Sequence, residues 1–248
     1  LADAVADAGF DVCSVASNHT LDQGAAGVEA TLGHLDRVGV GHTGAARSEQ
    51  EALTTRIYDV HGRRVAHLSY SYGFNGFRVP DGEWWRANQI DVERITGDAF
   101  RARMERADLV FVSLHFGTEY RAEPSAYQRD LAGALSASPD IDLVIGHHAH
   151  VVQPVATVGT LPVIYGLGNL LSNMTQPERR DGVLVRVTLD HAPGQRATVT
   201  GIEALPTQVL RDGHRIVIAA PDSWQRTMSV LNDGGTPVPP VELPPPPP

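Results

Sequence analysis

Lysine is absent from the 248-residue sequence, and cysteine occurs only once, at Cys13. All 20 basic side chains are therefore arginines, and 29 acidic residues leave a formal charge of -9. Such a chain lacks the clustered positive charge that non-specific nucleic-acid binding requires, so we expect no nucleic-acid partner. A lone cysteine excludes an intrachain disulfide framework and a zinc site built from cysteines.

Long hydrophobic runs are also missing, since no stretch approaches the roughly 18 apolar residues that span a bilayer. The first residue is Leu1, and no basic segment followed by an apolar one precedes the first helical pattern. We therefore expect no signal peptide or anchor in this chain, and we interpret its start as a truncation of a longer protein.

Helical patterns of 10 to 15 residues alternate with short, continuously apolar runs such as 108–114 and 142–146. This alternation is typical of an α/β fold with a buried, mostly parallel sheet and helices outside. The segments 182–189 and 198–204 alternate in polarity, which predicts closing antiparallel strands. Eight of the 17 prolines lie in the last twelve residues. We therefore predict a folded domain over 1–215 and a disordered, proline-rich tail over 216–248.

Histidines follow three of the predicted strands directly. The strand at 10–16 leads into Asn18 and His19, and the strand at 108–114 leads into His115. The strand at 142–146 leads into the segment 147–150, His-His-Ala-His. In open α/β sheets, ligands and catalytic groups collect at the carboxyl ends of strands. Imidazole nitrogen and an Asn carbonyl suit Zn, Mn or Fe, so this pattern predicts a metal site more strongly than a set of unrelated histidines. His148 and His150, two apart in an extended loop, can face the same ion, which would turn His147 away.

These segments resemble the motifs of CapA-type proteins, the poly-γ-glutamate capsule synthesis family. The segment 17–24 resembles N-H-x-x-D-x-G, and 115–120 resembles H-x-G-x-E-Y. The segment 146–153 resembles G-H-H-P-H-V-x-Q, with Ala149 where proline is usual, and 165–169 resembles Y-S-L-G-N, with Gly166 for serine. The four motifs occur in order and cover residues 1 to about 205.

The resemblance implies a metallo-dependent phosphatase-like layered fold with two divalent metal ions, Mn, Zn or Fe. By the same resemblance Asn18, His115, His148 and His150 are metal ligands, and His19 is the catalytic acid or base. The family pattern begins with a strand that carries a Gly-Asp ligand, which this sequence does not contain. We therefore expect the first strand to be missing, and this chain to hold one metal ion weakly or none.

Other motif residues have two interpretations each. Asp22 either orients the His19 ring as a catalytic partner or caps the following helix. Three further side chains either contact the substrate or form hydrogen bonds that support the metal ligands: Glu119, His147 and Gln153. Glu119 could equally be a solvated loop carboxylate. The segment 70–85 holds six of the fifteen aromatic residues and is either a lid or an insertion packed on the domain.

The resemblance implies a capsule-related, metal-dependent hydrolase that acts on an amide- or peptide-containing polymer at the cell envelope. Its expected partners are an anionic polymer or peptide and a membrane-bound polymer synthesis complex. Its expected location is extracytoplasmic and membrane-associated. The alternatives are a non-catalytic accessory subunit of a synthesis or export complex, a metal-dependent phosphoesterase and a peptide epimerase.

Overall fold

A computed structural model describes residues 1–190 and 196–242. The chain divides into two compact units: Leu1–Phe116 with Ala137–Asp142, and Gly117–Ser136 with Leu143–Pro248. Each unit combines helices with strands, and the predicted α/β class is confirmed. Within the described ranges, no helix is long and apolar enough to cross a membrane.

The first unit contains four helices and five strands. The helices are α1 Ala2–Asp7, α2 Gly24–Val38, α3 Glu49–Leu53 and α4 Val92–Met104. The strands are β1 Val12–Ser14, β2 Gly41–Thr43, β3 Ile57–Val60, β4 Arg63–Ser71 and β5 Leu109–His115. β1 pairs with β2 and β4 with β5 in parallel, whereas β3 and β4 form an antiparallel hairpin.

The apolar pattern of this unit explains its helices and strands. β4 and β5 are buried over most of their length, as expected for parallel strands, and the sequence of β5 is almost continuously apolar. Val28, Leu32 and Leu35 form the buried face of α2, which ends at Gly39 in the left-handed conformation. The parallel pairing places the carboxyl ends of β4 and β5 side by side, with Ser71 opposite His115.

Among its described residues, the second unit contains six strands, two α-helices and a short 3-10 helix at Pro177–Arg179. The strands and α-helices are α5 Ala126–Ser136, β6 Leu143–His147, β7 Val152–Val158, β8 Leu161–Leu167, β9 Asp181–Asp190, β10 Thr198–Val209, β11 Ile216–Ile218 and α6 Pro221–Asn232. β6 and β8 are parallel, and β7 pairs antiparallel to β8. β9, β10 and β11 form an antiparallel sheet, as the alternating segments predict for β9 and β10.

The predicted disordered tail over 216–248 is wrong for residues 216–242. β11 extends the antiparallel sheet, α6 packs on β7 and β10, and Val238 is buried. The buried face of α6 consists of Ser223, Thr227 and Leu231. Two of these three side chains are polar, so hydrophobic periodicity does not reveal the helix. The predicted tail's last residues, 243–248, with their five-proline run, lie outside the described residues.

A buried carboxylate attaches α6 to the first residue of β9. Asp181 is 3% exposed, and its two carboxylate oxygens accept hydrogen bonds from Ser223 Oγ at 2.5 Å and Arg226 Nε at 2.7 Å. Its backbone carbonyl accepts the N–H of Asn169 at 3.0 Å. Gly168 has a φ of +69°, and a Cβ there would clash with the Asp181 carbonyl oxygen. The turn at 168–169 therefore requires glycine and is fixed by the start of β9.

Candidate functional site

In the first unit, the loop after β1 presents Asn18 and His19. The Thr20 hydroxyl accepts the N–H of Ser17 at 2.8 Å and lies 2.9 Å from the Val15 carbonyl, to which it donates. Because these bonds are local, the loop conformation is set by its own sequence. The side chain of Asn18 is buried, whereas that of His19 is 65% exposed.

The structure brings two of the predicted metal ligands of this unit together. Oδ1 of Asn18 lies 2.9 Å from Nε2 of His115, the last residue of β5. Nδ2 of Asn18 donates to Oδ1 of Asn75 at 3.0 Å, and this bond directs the Asn18 carbonyl oxygen towards His115. Two ligands bound to one ion at about 2.1 Å each lie about 3 Å apart. The spacing of these oxygen and nitrogen atoms therefore fits a shared divalent ion.

Asn75 is a site residue that the sequence interpretation missed. It lies in the loop after β4, is exposed, and has a φ of +50°. Asparagine tolerates this left-handed conformation better than most residues. The Asn75-Gly76 dipeptide signals a turn, but no sequence pattern connects it with Asn18. The segment 70–85 thus contributes a hydrogen-bonding residue to the site.

The ring of His19 is oriented by Asp22. Nδ1 of His19 lies 2.7 Å from Oδ2 of Asp22, and since a carboxylate only accepts, Nδ1 carries the proton. Nε2 is then the nitrogen that can exchange a proton with a substrate. The other role considered for Asp22 was the helix cap. The residue before α2 is Gln23, and the helix start receives no side-chain hydrogen bond.

In the second unit, the other three motif histidines lie at the end of β6 and in the loop that follows it. The rings of His148 and His150 lie 6.3 Å apart, with an angle of 52° between their planes. Both residues have positive φ, +89° and +57°. Non-glycine residues hold such angles at a cost of about 1–3 kcal/mol, which is typical of functional loops. Burial lowers the pKa of His147 to about 4, so this ring is neutral near pH 7.

The hydrogen bonds of Asn169 determine which nitrogen of His150 can bind a metal ion. Nδ2 of Asn169 donates to the carbonyls of His150 and Arg179, at 3.2 and 2.8 Å. Oδ1 of Asn169 must then accept the bond from Nδ1 of His150 at 2.9 Å. Nε2 of His150 is left unprotonated, which is the form that ligates metals. Asn169, the last residue of the segment that resembles Y-S-L-G-N, therefore orients a predicted ligand.

Glu119 and Gln153 have different surroundings. Desolvation and the nearby carboxylate of Glu119 raise the pKa of Tyr120. Gln153 is completely buried, where it exchanges hydrogen bonds with Gln128 and donates to the Arg121 carbonyl at 2.9 Å. Gln153 therefore supports the loop after β5 from inside and cannot contact a substrate.

The donor atoms in each unit suit a divalent ion. Among residues 1–190 and 196–242, no group of three or more histidine, cysteine, aspartate or glutamate side chains lies close enough to hold one. Within the first unit the candidate donors are a neutral amide oxygen and an imidazole nitrogen. Within the second they are two imidazoles, of which His150 is held in the ligating tautomer. Imidazole with an oxygen donor is a ligand set for Zn, Mn or Fe.

Solved structures define the class of fold. Over 92% of this chain, the calcineurin-like phosphoesterase YfkN from Bacillus subtilis aligns with a TM-score of 0.56 at 17% identity, covering 71% of that chain. The sulfate thiohydrolase SoxB from Thermus thermophilus aligns over the same share with a TM-score of 0.56 at 17% identity, covering 38% of that chain. The chain therefore has a metallophosphatase-like fold.

The family follows from the sequence comparisons. Residues 1–174 match the model of the bacterial capsule synthesis protein PGA_cap, and the chain belongs to this family. It is 31% identical to the PGA biosynthesis protein CapA of Bacillus subtilis over 214 residues, which are 83% of this chain and 55% of that protein. It is 29% identical to the capsule biosynthesis protein CapA of Bacillus anthracis over 189 residues, 75% of this chain and 46% of that protein. The resemblance to CapA is confirmed, and the chain spans about half the length of these curated relatives.

Proposed function

We propose that this chain is the catalytic part of a metal-dependent hydrolase that cleaves amide bonds in an anionic capsule polymer of the poly-γ-glutamate type. The observation that carries the proposal is the His19–Asp22 pair, placed one residue from a buried Asn18 that faces His115. This combines an oriented acid or base with donors suited to a metal. The names of the relatives support the polymer, and capsule synthesis supports a location at the cell envelope beside a membrane-bound synthesis complex.

The proposed metal ligands are Asn18 and His115 in the first unit and His148 and His150 in the second. The ions are Mn, Zn or Fe, two in the intact protein. A divalent ion, when bound, lowers the pKa of water and polarises a carbonyl group. Nε2 of His19 takes a proton from the water as the water oxygen attacks the amide carbon. His19 then gives this proton to the leaving nitrogen as the carbon–nitrogen bond breaks, and Asp22 stabilises the ring in its charged form.

The test is cleavage of a synthetic oligo-γ-glutamate by the purified chain in the presence of Mn²⁺, Zn²⁺ or Fe²⁺. Mass spectrometry identifies the products by their length and by the new amino end that each cleavage creates. We expect shorter oligomers with unmodified ends, and no cleavage after treatment with EDTA. A metal-loaded, folded chain that binds the oligomer without cleaving it would contradict the hydrolase proposal.

A second candidate function is that of a non-catalytic accessory subunit. Two observations favour it: the described residues hold no group of three acidic, histidine or cysteine ligands, and one relative bears the name of an accessory protein. That relative is the probable polyglutamine synthesis accessory protein Rv0574c of Mycobacterium tuberculosis, 29% identical over 178 residues, 65% of this chain and 45% of that protein. Binding without turnover in the cleavage assay is the outcome that identifies this role.

Asn75 tests whether the Asn18 carbonyl is a metal ligand. Replacing Asn75 with glycine removes the side chain without strain at the positive φ, and we expect about tenfold weaker metal binding because Asn18 loses its orientation. Replacing Asn75 with aspartate keeps an acceptor for Nδ2 of Asn18 and should preserve the affinity. Calorimetric titration with Mn²⁺ measures both variants. Equal Mn²⁺ affinity of N75G and the wild type would show that Asn75 has no role in metal binding.

A further inference from the structure

Tyr120 connects a predicted metal ligand with an arginine in the second unit. The ring of Tyr120 stacks on that of His150, with centroids 5.8 Å apart and an angle of 23°. The guanidinium carbon of Arg179 lies 3.7 Å from the centroid of the same ring. The backbone of Tyr120 has a φ of +64° and donates its N–H to the Ala149 carbonyl at 2.7 Å. The ring position is therefore fixed by the loop that carries the histidines.

The guanidinium of Arg179 keeps its hydrogen-bonding capacity. Among the described residues it forms no ion pair, and its buried Nε has no hydrogen-bond partner. Other arginines of the same unit are neutralised: Arg186 forms two hydrogen bonds with Glu203, and Arg226 binds Asp181. A guanidinium that rests on an aromatic face still offers its edges, and those edges match a carboxylate in two-point geometry.

A second basic feature follows directly in the sequence. A cavity of about 180 Å³ is lined by Arg180, Arg211 and His214, together with Ser172, Asn173, Met174 and Val209. No acidic side chain of the described residues lines this cavity, although the chain as a whole carries a formal charge of -9. Such a cavity favours anions. Arg180, the residue that follows Arg179 in the sequence, therefore lines a cavity that attracts negative charge.

We propose that Arg179 recognises a carboxylate of the polymer beside the predicted ligand His150, and that Tyr120 positions the arginine. This inference rests on the proposed function and names the group by which the substrate is selected. In a γ-linked glutamyl chain, the carbon attached to each amide nitrogen also bears a carboxylate. An ordinary peptide has no charge at that position. An arginine held on the Tyr120 ring, which stacks on His150, therefore distinguishes a γ-glutamyl polymer from a neutral peptide.

The test is the binding of two fluorescent oligomers, oligo-γ-glutamate and the same oligomer with its carboxylates converted to amides, measured by fluorescence anisotropy. All proteins carry His19→Ala so that bound oligomers stay intact. We expect the parent protein to prefer the acidic oligomer, and Arg179→Gln to bind it about tenfold more weakly while binding the amidated oligomer unchanged. Arg179→Lys keeps the charge but loses the planar guanidinium. Its affinity for the acidic oligomer should therefore lie between those of the parent protein and Arg179→Gln. The matched control is Arg186→Gln, which removes an exposed arginine of the same unit and should bind like the parent.

Several outcomes separate this inference from the proposed function. If Arg179→Gln weakens the binding of both oligomers equally, or weakens neither, the proposed role of Arg179 is overturned. The result of the cleavage assay does not depend on this outcome. If binding depends on Arg179 as expected but the chain with His19 intact does not cleave the polymer, the inference is supported and the hydrolase proposal is contradicted. A parent protein that binds neither oligomer would overturn the inference. Circular dichroism confirms that each variant is folded.

Discussion

Replacing His19 with alanine is expected to slow metal-dependent cleavage of oligo-γ-glutamate by about 10²–10⁴-fold. The reason is that Nε2 of His19 supplies the proton that the leaving nitrogen needs. The side chain is 65% exposed and belongs to no core cluster, so its removal should not affect folding. The rate is measured under single-turnover conditions with saturating metal.

Two further measurements make the result specific to proton transfer. Metal affinity should be unchanged in His19→Ala, since the proposed ligands remain. Asp22→Asn should reduce the rate less than His19→Ala does, because the ring remains but loses the carboxylate that orients and charges it. If His19→Ala cleaves as fast as the wild type while Asn18→Ala is inactive, the proton donor is another residue.

Replacing Arg226 with alanine is expected to lower the free energy of unfolding by about 3 kcal/mol, because it leaves the carboxylate of Asp181 buried without its cation. Ser223 is then the main remaining side-chain partner of that carboxylate. Urea unfolding, followed by circular dichroism, measures the change. The double variant Asp181→Asn with Arg226→Ala removes both charges and should recover part of the loss.

The control for this experiment is Arg186→Ala. Its partner Glu203 lies at the surface of β9 and β10, so the loss should be no more than about 1 kcal/mol. An equally small effect for Arg226→Ala would indicate that α6 contributes little to the fold, as the prediction of a disordered tail implied. A large effect should also disturb the orientation of His150, because the Asp181 carbonyl binds the backbone N–H of Asn169, which orients His150.

The sequence predicts those parts of the site that lie within single motifs. The apolar strands at 108–114 and 142–146 are followed directly by histidines, and both are found as strands that end at His115 and His147. The pairing of His19 with Asp22 is also local, since Asp22 lies three positions after His19. Short-range geometry and apolar periodicity carry this information, so it can be derived without knowledge of the fold.

The contacts that could not be predicted connect distant segments or depend on polar packing. Asn75 is 57 residues from Asn18, and Arg179 is 59 residues from Tyr120 along the chain. Neither pair belongs to a repeating pattern. The helix α6 was missed because its buried face uses Ser223 and Thr227, and because the nearby prolines dominate the composition. Proline at the start of a helix is favourable, so Pro221 begins α6 without interrupting it.

The most direct test of the account is a metal titration of the purified chain, followed by calorimetry and elemental analysis. We expect weak but detectable binding of at least one Mn, Zn or Fe ion per chain, and still weaker binding in each of Asn18→Ala, His115→Ala, His148→Ala and His150→Ala. His34→Ala, which changes an exposed histidine of α2, should bind like the wild type. A folded chain that binds no divalent ion, or that binds it equally well without these four side chains, would contradict the account.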